Sequence, residues 1–224
     1  MRTFDPAAGT PEPQHDCSAC SRLVSFRAEN QSQHDDWYNG AVPSFGDPQA
    51  RLLIVGLAPG LRGANRTGRP FTGDFAGDLL YDTLIQFGFA NGTYRASAED
   101  GLTLVDCMIT NAVRCVPPQN KPTTEEIRTC RPFLAARIAA LANLVAIIAL
   151  GRIAHDSVLA ALGARRSKYT FAHGAAHAAS DGLMVYDSYH CSRYNTNTRR
   201  LTPEMFHSVF AVVKHELATM LPRH

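Results

Sequence analysis

Residues 52–87 read LLIVGLAPGLRGANRTGRPFTGDFAGDLLYDTLIQF, and this stretch decides the fold. Its first five residues form a short apolar run that ends in glycine, which predicts a buried strand. Its last eleven residues, 77–87, carry leucine and phenylalanine at helical spacing. A buried strand, a glycine-rich loop and an amphipathic helix in this order are typical of an α/β fold.

The same alternation of strand and helix patterns continues toward the end of the chain. Further strands are predicted at 102–109, 144–150 and 183–186. Further helices are predicted at 123–142, 153–162 and 202–221. Thr123 and Glu126 form a capping-box start for the first of these helices. Four strands that are each followed by a helix predict a three-layer α/β/α sandwich with a central four-stranded parallel sheet. We expect one domain over residues 1–224.

The composition is that of a globular protein, with 45% apolar residues, 19% charged residues and a net charge of +2. Lysine supplies only three of the 22 basic residues. This arginine bias has two readings, a GC-rich genome or a set of planar groups that bind phosphate oxygens. The N-terminus lacks the apolar core of a signal peptide, and the longest apolar stretch, 138–150, is too short to span a bilayer. We therefore expect a cytoplasmic monomer without a membrane partner.

Six cysteines in a cytoplasmic protein indicate a metal site rather than disulfides. Cys17-x-x-Cys20 lies in the N-terminal fifty residues, which are rich in Pro, Gln, His and Asp and predict an irregular leader. Together with Cys115 and Cys130 it predicts a four-thiolate site that ties this leader to the core. The spacing does not separate zinc from a 4Fe–4S cluster. Cys107 alternates with strand residues and is expected in the core.

Ligands of parallel α/β sheets bind outside the carboxyl ends of the strands. We therefore expect the chemistry in the loops that follow the four strands, at 56–74, 111–118, 151–155 and 188–197. The first loop holds five glycines in nineteen residues, which lets its backbone approach a ligand closely. Neither of the usual phosphate-binding glycine patterns is present, so a nucleotide-binding loop is disfavoured.

Three motifs occupy these strand ends. They are Gly-Leu-Ala-Pro-Gly at 56–60 with Asn-Arg-Thr-Gly-Arg-Pro-Phe-Thr-Gly-Asp at 65–74, Thr-Asn at 110–111, and Ser-Tyr-His-Cys-Ser at 188–192 with Asn-Thr-Asn-Thr-Arg-Arg-Leu-Thr at 195–202. Together they resemble the B-type (family 5) uracil-DNA glycosylases, over most of the chain from Cys17 to about Thr202. One departure is Cys191, because the family usually has proline between this histidine and serine.

The resemblance implies a monofunctional DNA glycosylase that hydrolyses the N-glycosidic bond of uracil, leaves an abasic site for base excision repair, and carries a structural 4Fe–4S cluster. The target nucleotide must leave the base stack, because its anomeric carbon is inaccessible inside a duplex. Phe71 is the candidate on which the base stacks. Asn111 offers donors and an acceptor that suit the edge of uracil, and His190 can donate to the O2 atom of the departing base. Gly56, Ala58 and Gly60 are expected to line the pocket.

Asp74 has two readings. A carboxylate near the anomeric carbon can stabilise the sugar cation or orient the attacking water. An aspartate at the head of a helix, followed here by Phe-Ala-Gly, is also an ordinary N-cap. Related enzymes carry a carboxylate within the first loop, whereas this chain has Leu57 and Ala58 there. Asp74 is the nearest acid and therefore our candidate for the third catalytic residue.

Gly60 bears on the range of substrates. Glycosylases that reject thymine resemble this chain but carry a bulky tyrosine at this position. The open wall predicts activity on hydroxymethyluracil and on deaminated purines such as hypoxanthine and xanthine, as well as on uracil. One alternative is a cluster-bearing protein that binds uracil-containing DNA without multiple turnover. A zinc-dependent nucleic-acid-binding module is another.

Several polar residues of the loops are expected to contact DNA. They are Arg62, Asn65, Arg66, Arg193, Tyr194 and Asn195. The pair Arg193 and Tyr194 is the candidate for the wedge that enters the gap left by the flipped base. His173 and His177 have the spacing of a metal pair. We do not predict a metal there, because no third ligand lies nearby in the sequence.

Overall fold

The computed structural model describes residues 12–179 and 182–219. The helices are Ser21–Gln33 (α1), Ala64–Thr67 (α2), Phe75–Gln86 (α3), Thr124–Ala140 (α4), Arg152–Ala161 (α5), Arg193–Asn197 (α6) and Pro203–Thr219 (α7). The strands are Phe45–Gly46 (β1), Leu52–Gly56 (β2), Ala90–Asn91 (β3), Thr103–Leu104 (β4), Cys107–Asn111 (β5), Ala146–Leu150 (β6), Ala176–Ala178 (β7) and Met184–Ser188 (β8). No helix among the described residues is long and apolar enough to cross a membrane.

The main sheet has six strands in the order β1-β5-β2-β6-β8-β7. Its four central strands are parallel, as predicted, and β1 and β7 add short antiparallel edges. These edge strands are only two and three residues long, too short to carry a recognisable alternation. The central strands are almost completely buried, because helices cover both faces of the sheet. The α/β/α sandwich is confirmed.

The two helical layers pack on opposite faces of the sheet. Helices α3 and α7 pack against the face that presents Leu52 and Ile54. Helices α4 and α5 pack against the face that presents Leu53 and Val55. The predicted capping box is present at the start of α4, where Thr123 and Glu126 exchange hydrogen bonds between side chain and backbone.

Two expectations from the sequence were wrong in detail. The strand predicted at 102–109 is divided, because Asp106 has a left-handed φ of 53° between β4 and β5. Strand β4 pairs with β3 in a separate small sheet. The predicted irregular leader contains α1, whose buried positions are Leu23, Arg27 and Asn30. Two of these three residues are polar, so the helix carries no apolar stripe that a sequence pattern could reveal.

Candidate active site and cysteine cavity

A cleft of about 710 Å³ opens at the carboxyl ends of the central strands. It brings together residues of the loops that follow β2, β5 and β8. Among its lining residues are Ala58, Gly60, Arg62, Phe71, Asp74, Asn111, His190, Arg193 and Tyr194. The three candidate catalytic residues therefore meet in one cleft, as expected from the positions of the strand ends.

Glycines of the first loop leave room for the side chains of this cleft. A Cβ atom on Gly56 would lie 2.4 Å from Asn111 Oδ1 and 2.5 Å from the ring of Phe71. A Cβ atom on Gly60 or Gly63 would lie 2.6 or 2.2 Å from Asp74 Oδ2. These distances are shorter than any ordinary contact. The glycine pattern is thus explained by the close approach of protein side chains.

Phe71 both packs in the core and faces the cleft. Its φ is +54°, and the hydroxyl of Tyr94 donates to its carbonyl oxygen at 3.3 Å. Gly77 is required next to it, since a Cβ atom there would lie 1.8 Å from the same carbonyl oxygen. The ring of Phe71 is 6% exposed, and its centroid lies 5.8 Å from that of His190 at an interplanar angle of 27°. A flat apolar surface is therefore held beside the histidine.

Asn111 is the last residue of β5 and is only 3% exposed. Its Oδ1 atom has no hydrogen-bond partner among the described residues. A buried acceptor without a donor costs about 1–3 kcal/mol, so such an atom on the wall of a cleft indicates a ligand N–H group that binds there. The N3–H group of a uracil ring has this chemistry.

His190 is held as a neutral imidazole. Burial lowers its pKa to about 4, so the ring is uncharged at neutral pH and carries one N–H donor. The side chain of Asn195 donates to the His190 carbonyl oxygen at 2.8 Å. The next residue, Cys191, is fully buried, and its thiol donates to the Ala76 carbonyl oxygen of α3 at 3.4 Å. Cys191 thus anchors the loop to α3 at the position where the family usually has proline.

Asp74 caps α3, because its Oδ1 atom accepts from the Gly77 backbone N–H at 3.3 Å. Its Oδ2 atom lies over Gly60 and Gly63, and the residue also lines the cleft. Burial raises the pKa of this carboxyl above its usual value, although backbone N–H groups of the helix oppose the shift. Asp74 is therefore the N-cap of α3, as one interpretation of the sequence held. Its place on the cleft wall is also compatible with a catalytic role.

The expected DNA-contact residues divide into two groups. Arg62, Arg66, Arg193 and Tyr194 are exposed, and all of these except Arg66 line the cleft. The guanidinium of Arg193 lies 5.3 Å from the ring centroid of Phe75, whereas Tyr194 is 72% exposed. Of the two wedge candidates, Tyr194 therefore has the more exposed side chain, whereas Arg193 packs against Phe75.

The other two expected DNA-contact residues have structural positions. Asn65 is fully buried and donates to Asn39 Oδ1 at 2.9 Å, so the expected DNA contact was wrong. Asn195 is partly buried and holds the His190 backbone.

Asn120, which sequence reasoning missed, lines the cleft with a left-handed φ of 56°. An asparagine after two prolines is a turn signal that could have drawn attention to it.

The four cysteines of the predicted metal site line one cavity. They are Cys17, Cys20, Cys115 and Cys130. Burial raises the pKa of the Cys20 thiol to about 11 and that of Cys115 to about 12, and the neighbouring cysteines of the quartet add to both shifts. The buried Arg27 guanidinium opposes both shifts. A cation bound in this cavity would lower the pKa values of these thiols and favour their thiolate forms.

The donor set bears on what the cavity can hold. Four cysteine side chains line it, and four thiolates bind either a tetrahedral zinc ion or a 4Fe–4S cluster. The cavity therefore fits both groups that the sequence allowed.

Comparisons with known proteins agree with this geometry. A family model for the uracil DNA glycosylase superfamily matches residues 43–214. The type-5 uracil-DNA glycosylase of Thermus thermophilus is 43% identical over 88% of this chain and 92% of its own length. That of Pyrobaculum aerophilum is 42% identical over 84% and 83%. A type-4 uracil-DNA glycosylase of Sulfurisphaera tokodaii is 31% identical over 75% and 73%.

Proposed function

This chain belongs to the uracil-DNA glycosylase superfamily, and from this premise we propose how its cleft excises uracil from DNA. The observation that carries the proposal is the buried, unpartnered Oδ1 atom of Asn111 at the end of β5. This acceptor lies in the same cleft as Phe71 and His190. A stacking surface, an edge reader and a neutral donor are what the flipped base requires.

Asn111 and Phe71 bind the base in this proposal. The Asn111 carbonyl oxygen accepts from N3–H of uracil, and its amide group is available to donate to O4. The base stacks on Phe71, whose ring is fixed by packing in the core. Gly56 keeps the space between these two side chains free of a third one. Ala58 and Gly60 complete this wall of the pocket.

His190 stabilises the departing base. As the glycosidic bond breaks, the sugar gains oxocarbenium character and negative charge accumulates on O2 of the base. The neutral His190 ring donates its N–H group to that oxygen, and the donor is positioned before the reaction begins. Its lowered pKa keeps the second ring nitrogen unprotonated, so the histidine acts as a hydrogen-bond donor and not as a cation.

Asp74 supplies the opposite charge in this proposal. One of its oxygens caps α3, and this bond fixes the carboxylate while the other oxygen lies over Gly60 and Gly63. A carboxylate held there can stabilise the sugar cation and orient the water that attacks the anomeric carbon. A single residue can thus be both a helix cap and a catalytic carboxylate, the two roles that the sequence allowed.

No Schiff-base chemistry is expected. A lyase reaction needs an amine that attacks the opened sugar. Lys121, Lys168 and Lys214 do not line the cleft. Borohydride should therefore trap no covalent complex between the protein and DNA, and the product should be an intact abasic site.

We assign the exposed residues in and beside the cleft to DNA. In this proposal Arg62, Arg66 and Arg193 contact phosphates of a duplex whose base enters the cleft. Tyr194 is the proposed wedge, because this residue is 72% exposed and lies on the short helix that follows His190. We expect a monomer to be sufficient for this contact.

A structural 4Fe–4S cluster is the proposed occupant of the cysteine cavity. Cys17 and Cys20 precede α1, Cys115 follows β5 and Cys130 lies in α4. When bound, the cluster would supply a cross-link between these elements and no redox step, since the hydrolysis transfers no electrons. Four cysteines can hold zinc or a cluster, and the cluster is the group that the resemblance to the family-5 enzymes implies.

Incubation with oligonucleotides that contain uracil, hypoxanthine, xanthine or hydroxymethyluracil tests the proposal. Alkaline cleavage then reports each abasic site. We expect many turnovers on uracil and measurable excision of the deaminated purines and hydroxymethyluracil, because Gly60 carries no side chain that would narrow the pocket. Product equal to the enzyme concentration and no more would support the alternative, a protein that binds uracil-containing DNA without multiple turnover.

A further inference from the structure

Outside the cleft, buried polar side chains surround the end of β8 that leads to His190. Asp187 lies three residues before His190 and is fully buried. Each of its carboxylate oxygens contacts one imidazole. His155 Nδ1 lies 2.7 Å from Oδ1, and His177 Nε2 lies 3.0 Å from Oδ2. A buried carboxylate is thus compensated by two histidines from different elements.

The hydrogen bonds of His155 define its protonation state. Its Nδ1 faces the Asp187 carboxylate, and its Nε2 lies 3.1 Å from the Tyr169 carbonyl oxygen. A carbonyl oxygen and an ionised carboxylate only accept, so beside the Asp187 carboxylate the ring donates from both nitrogens as an imidazolium. Burial and a place in the first turn of α5 both disfavour this charge. The hydrogen bond and charge of Asp187 outweigh them, and the pKa of His155 is raised.

His173 is in the opposite state. Its Nε2 donates to the Met205 carbonyl oxygen at 3.1 Å, and its Nδ1 accepts from the Tyr189 backbone N–H at 3.1 Å. The ring is therefore neutral, with its proton on Nε2. Tyr189 follows the last residue of β8, and β7 begins only at Ala176, which pairs with Tyr186. The His173 imidazole accepts the Tyr189 N–H that a residue of a longer neighbouring strand would bind.

We infer that His155, His173 and Asp187 are positioning residues for His190. This inference rests on the donor role proposed for His190. Backbone bonds complete the support, because Gly174 N–H donates to the Asp187 carbonyl oxygen at 2.8 Å. On the other side, Gly151 N–H donates to the Ser188 carbonyl oxygen at 2.8 Å, so the backbone from Asp187 to Tyr189 is held on both sides directly before the histidine. A donor aimed at developing charge is effective only while its geometry is fixed.

A bound metal is the competing explanation for part of this arrangement. The ligand-type atoms of His155, His177 and Asp187 lie within 4.8 Å of one another. The sequence alone offered no third ligand beside His177, and the fold supplies two. Each of the three residues has a hydrogen-bond partner in the group, and His155 Nε2 also lies 3.1 Å from the Tyr169 carbonyl oxygen, so both ring nitrogens of His155 face an acceptor. The hydrogen bonds therefore favour a proton-based network.

A double-mutant cycle tests the inference on the intact, cluster-bearing protein. In His173→Leu the acceptor for Tyr189 N–H is lost, whereas His173→Asn retains an acceptor close to the position of Nδ1. We expect His173→Leu to slow single-turnover uracil release on the order of tenfold to a hundredfold, the scale of misplacing one catalytic donor. The Kd for uracil-containing DNA should stay unchanged, and His173→Asn should recover most of the rate.

In a His190→Ala background, His173→Leu should have almost no further effect, because its only route to the reaction has been removed. An equal loss in both backgrounds would overturn the inference. A normal rate for His190→Ala would instead refute the donor role proposed above, so the two failures are distinguishable.

Nitrogen-15 NMR of the histidines in the unmodified protein gives a test that does not depend on a variant folding. At pH 7, we expect His155 to be protonated on both nitrogens and His173 on Nε2 alone. A neutral His155, or zinc added alone that binds at one equivalent and removes the His155 Nδ1 proton, would overturn the inference.

Discussion

The Asp74 carboxylate occupies the space that a side chain at Gly60 would need. Asp74 Oδ2 lies 2.6 Å from the position of a Cβ atom on Gly60. This relationship changes the reading of Gly60, which the sequence presented as an open wall of the base pocket. The glycine also admits the carboxylate, so a large residue at this position would displace Asp74 as well as narrow the pocket. The backbone of Gly60 is not in the left-handed region, so the conflict is one of space alone.

Gly60→Ala should therefore slow uracil excision by displacing the Asp74 carboxylate. Rotation of Asp74 away from the new methyl group also breaks its bond to Gly77, and loss of a helix cap costs about 1 kcal/mol. Single-turnover rates and urea unfolding measure the two effects. In an Asp74→Ala background, Gly60→Ala should be nearly silent, because the obstructed carboxylate is gone. Additive losses in the double variant would contradict the steric account.

Asp74→Asn separates the charge of this residue from its capping bond. The asparagine oxygen can still accept from the Gly77 N–H, so the free energy of unfolding should change little. Loss of the negative charge should slow excision on the order of tenfold to a thousandfold, the scale of losing one electrostatic group at the transition state. Asp74→Ala is the matched control and should lose both rate and stability. A normal rate for Asp74→Asn would leave Asp74 as a helix cap only.

The cysteine cavity predicts a difference between two buried cysteines. Cys130→Ala should give colourless protein with lower stability, because the N-terminal segment loses its link to the core. Cys107→Ala is the matched control, since Cys107 is fully buried in β5 and lies outside the cavity. It should keep the brown colour and one cluster per chain. Visible absorbance and iron analysis measure both variants, and Cys130→Ala protein with full colour would refute the assigned ligands.

His190 should make the protein less stable in acid. Its pKa is about 4 in the folded protein and about 6.5 in an unfolded chain. The unfolded state therefore binds the proton first, and stability is lost as the pH falls from about 6.5 toward 4. His190→Asn removes this titration. Urea unfolding at pH 7 and pH 5 should show a smaller acid loss for the variant than for the unmodified protein. Equal losses would mean that His190 is not desolvated in solution.

The sequence predicted the central strands well because their burial on both faces leaves unbroken apolar runs, as in Leu52–Gly56. It missed β1 and β7, whose pairing depends on neighbours distant in the chain. Phe71, Asp74, Asn111 and His190 were identifiable because their motifs resemble those of the family-5 enzymes, and the convergence of parallel strand ends at one edge explains why they meet.

Other features depend on three-dimensional contacts that no local pattern records. Asn65 was expected at the surface, but its hydrogen bond to Asn39 forms only when segments 26 residues apart meet. Asp187 lies in an apolar strand and gives no local signal of its two histidine partners. These partners come from α5 and β7, which the fold brings together beside Asp187.

The measurement that tests the central claim most directly is uracil release by Asn111→Ala, compared with the unmodified protein and with Asn111→Asp. If the unpartnered Asn111 oxygen reads N3–H of uracil, the alanine variant should lose activity on the order of tenfold to a thousandfold without a loss of stability, since it removes an unsatisfied buried acceptor. The aspartate variant keeps an acceptor toward N3–H and should retain more activity than alanine. An alanine variant that releases uracil at the unmodified rate would contradict the account.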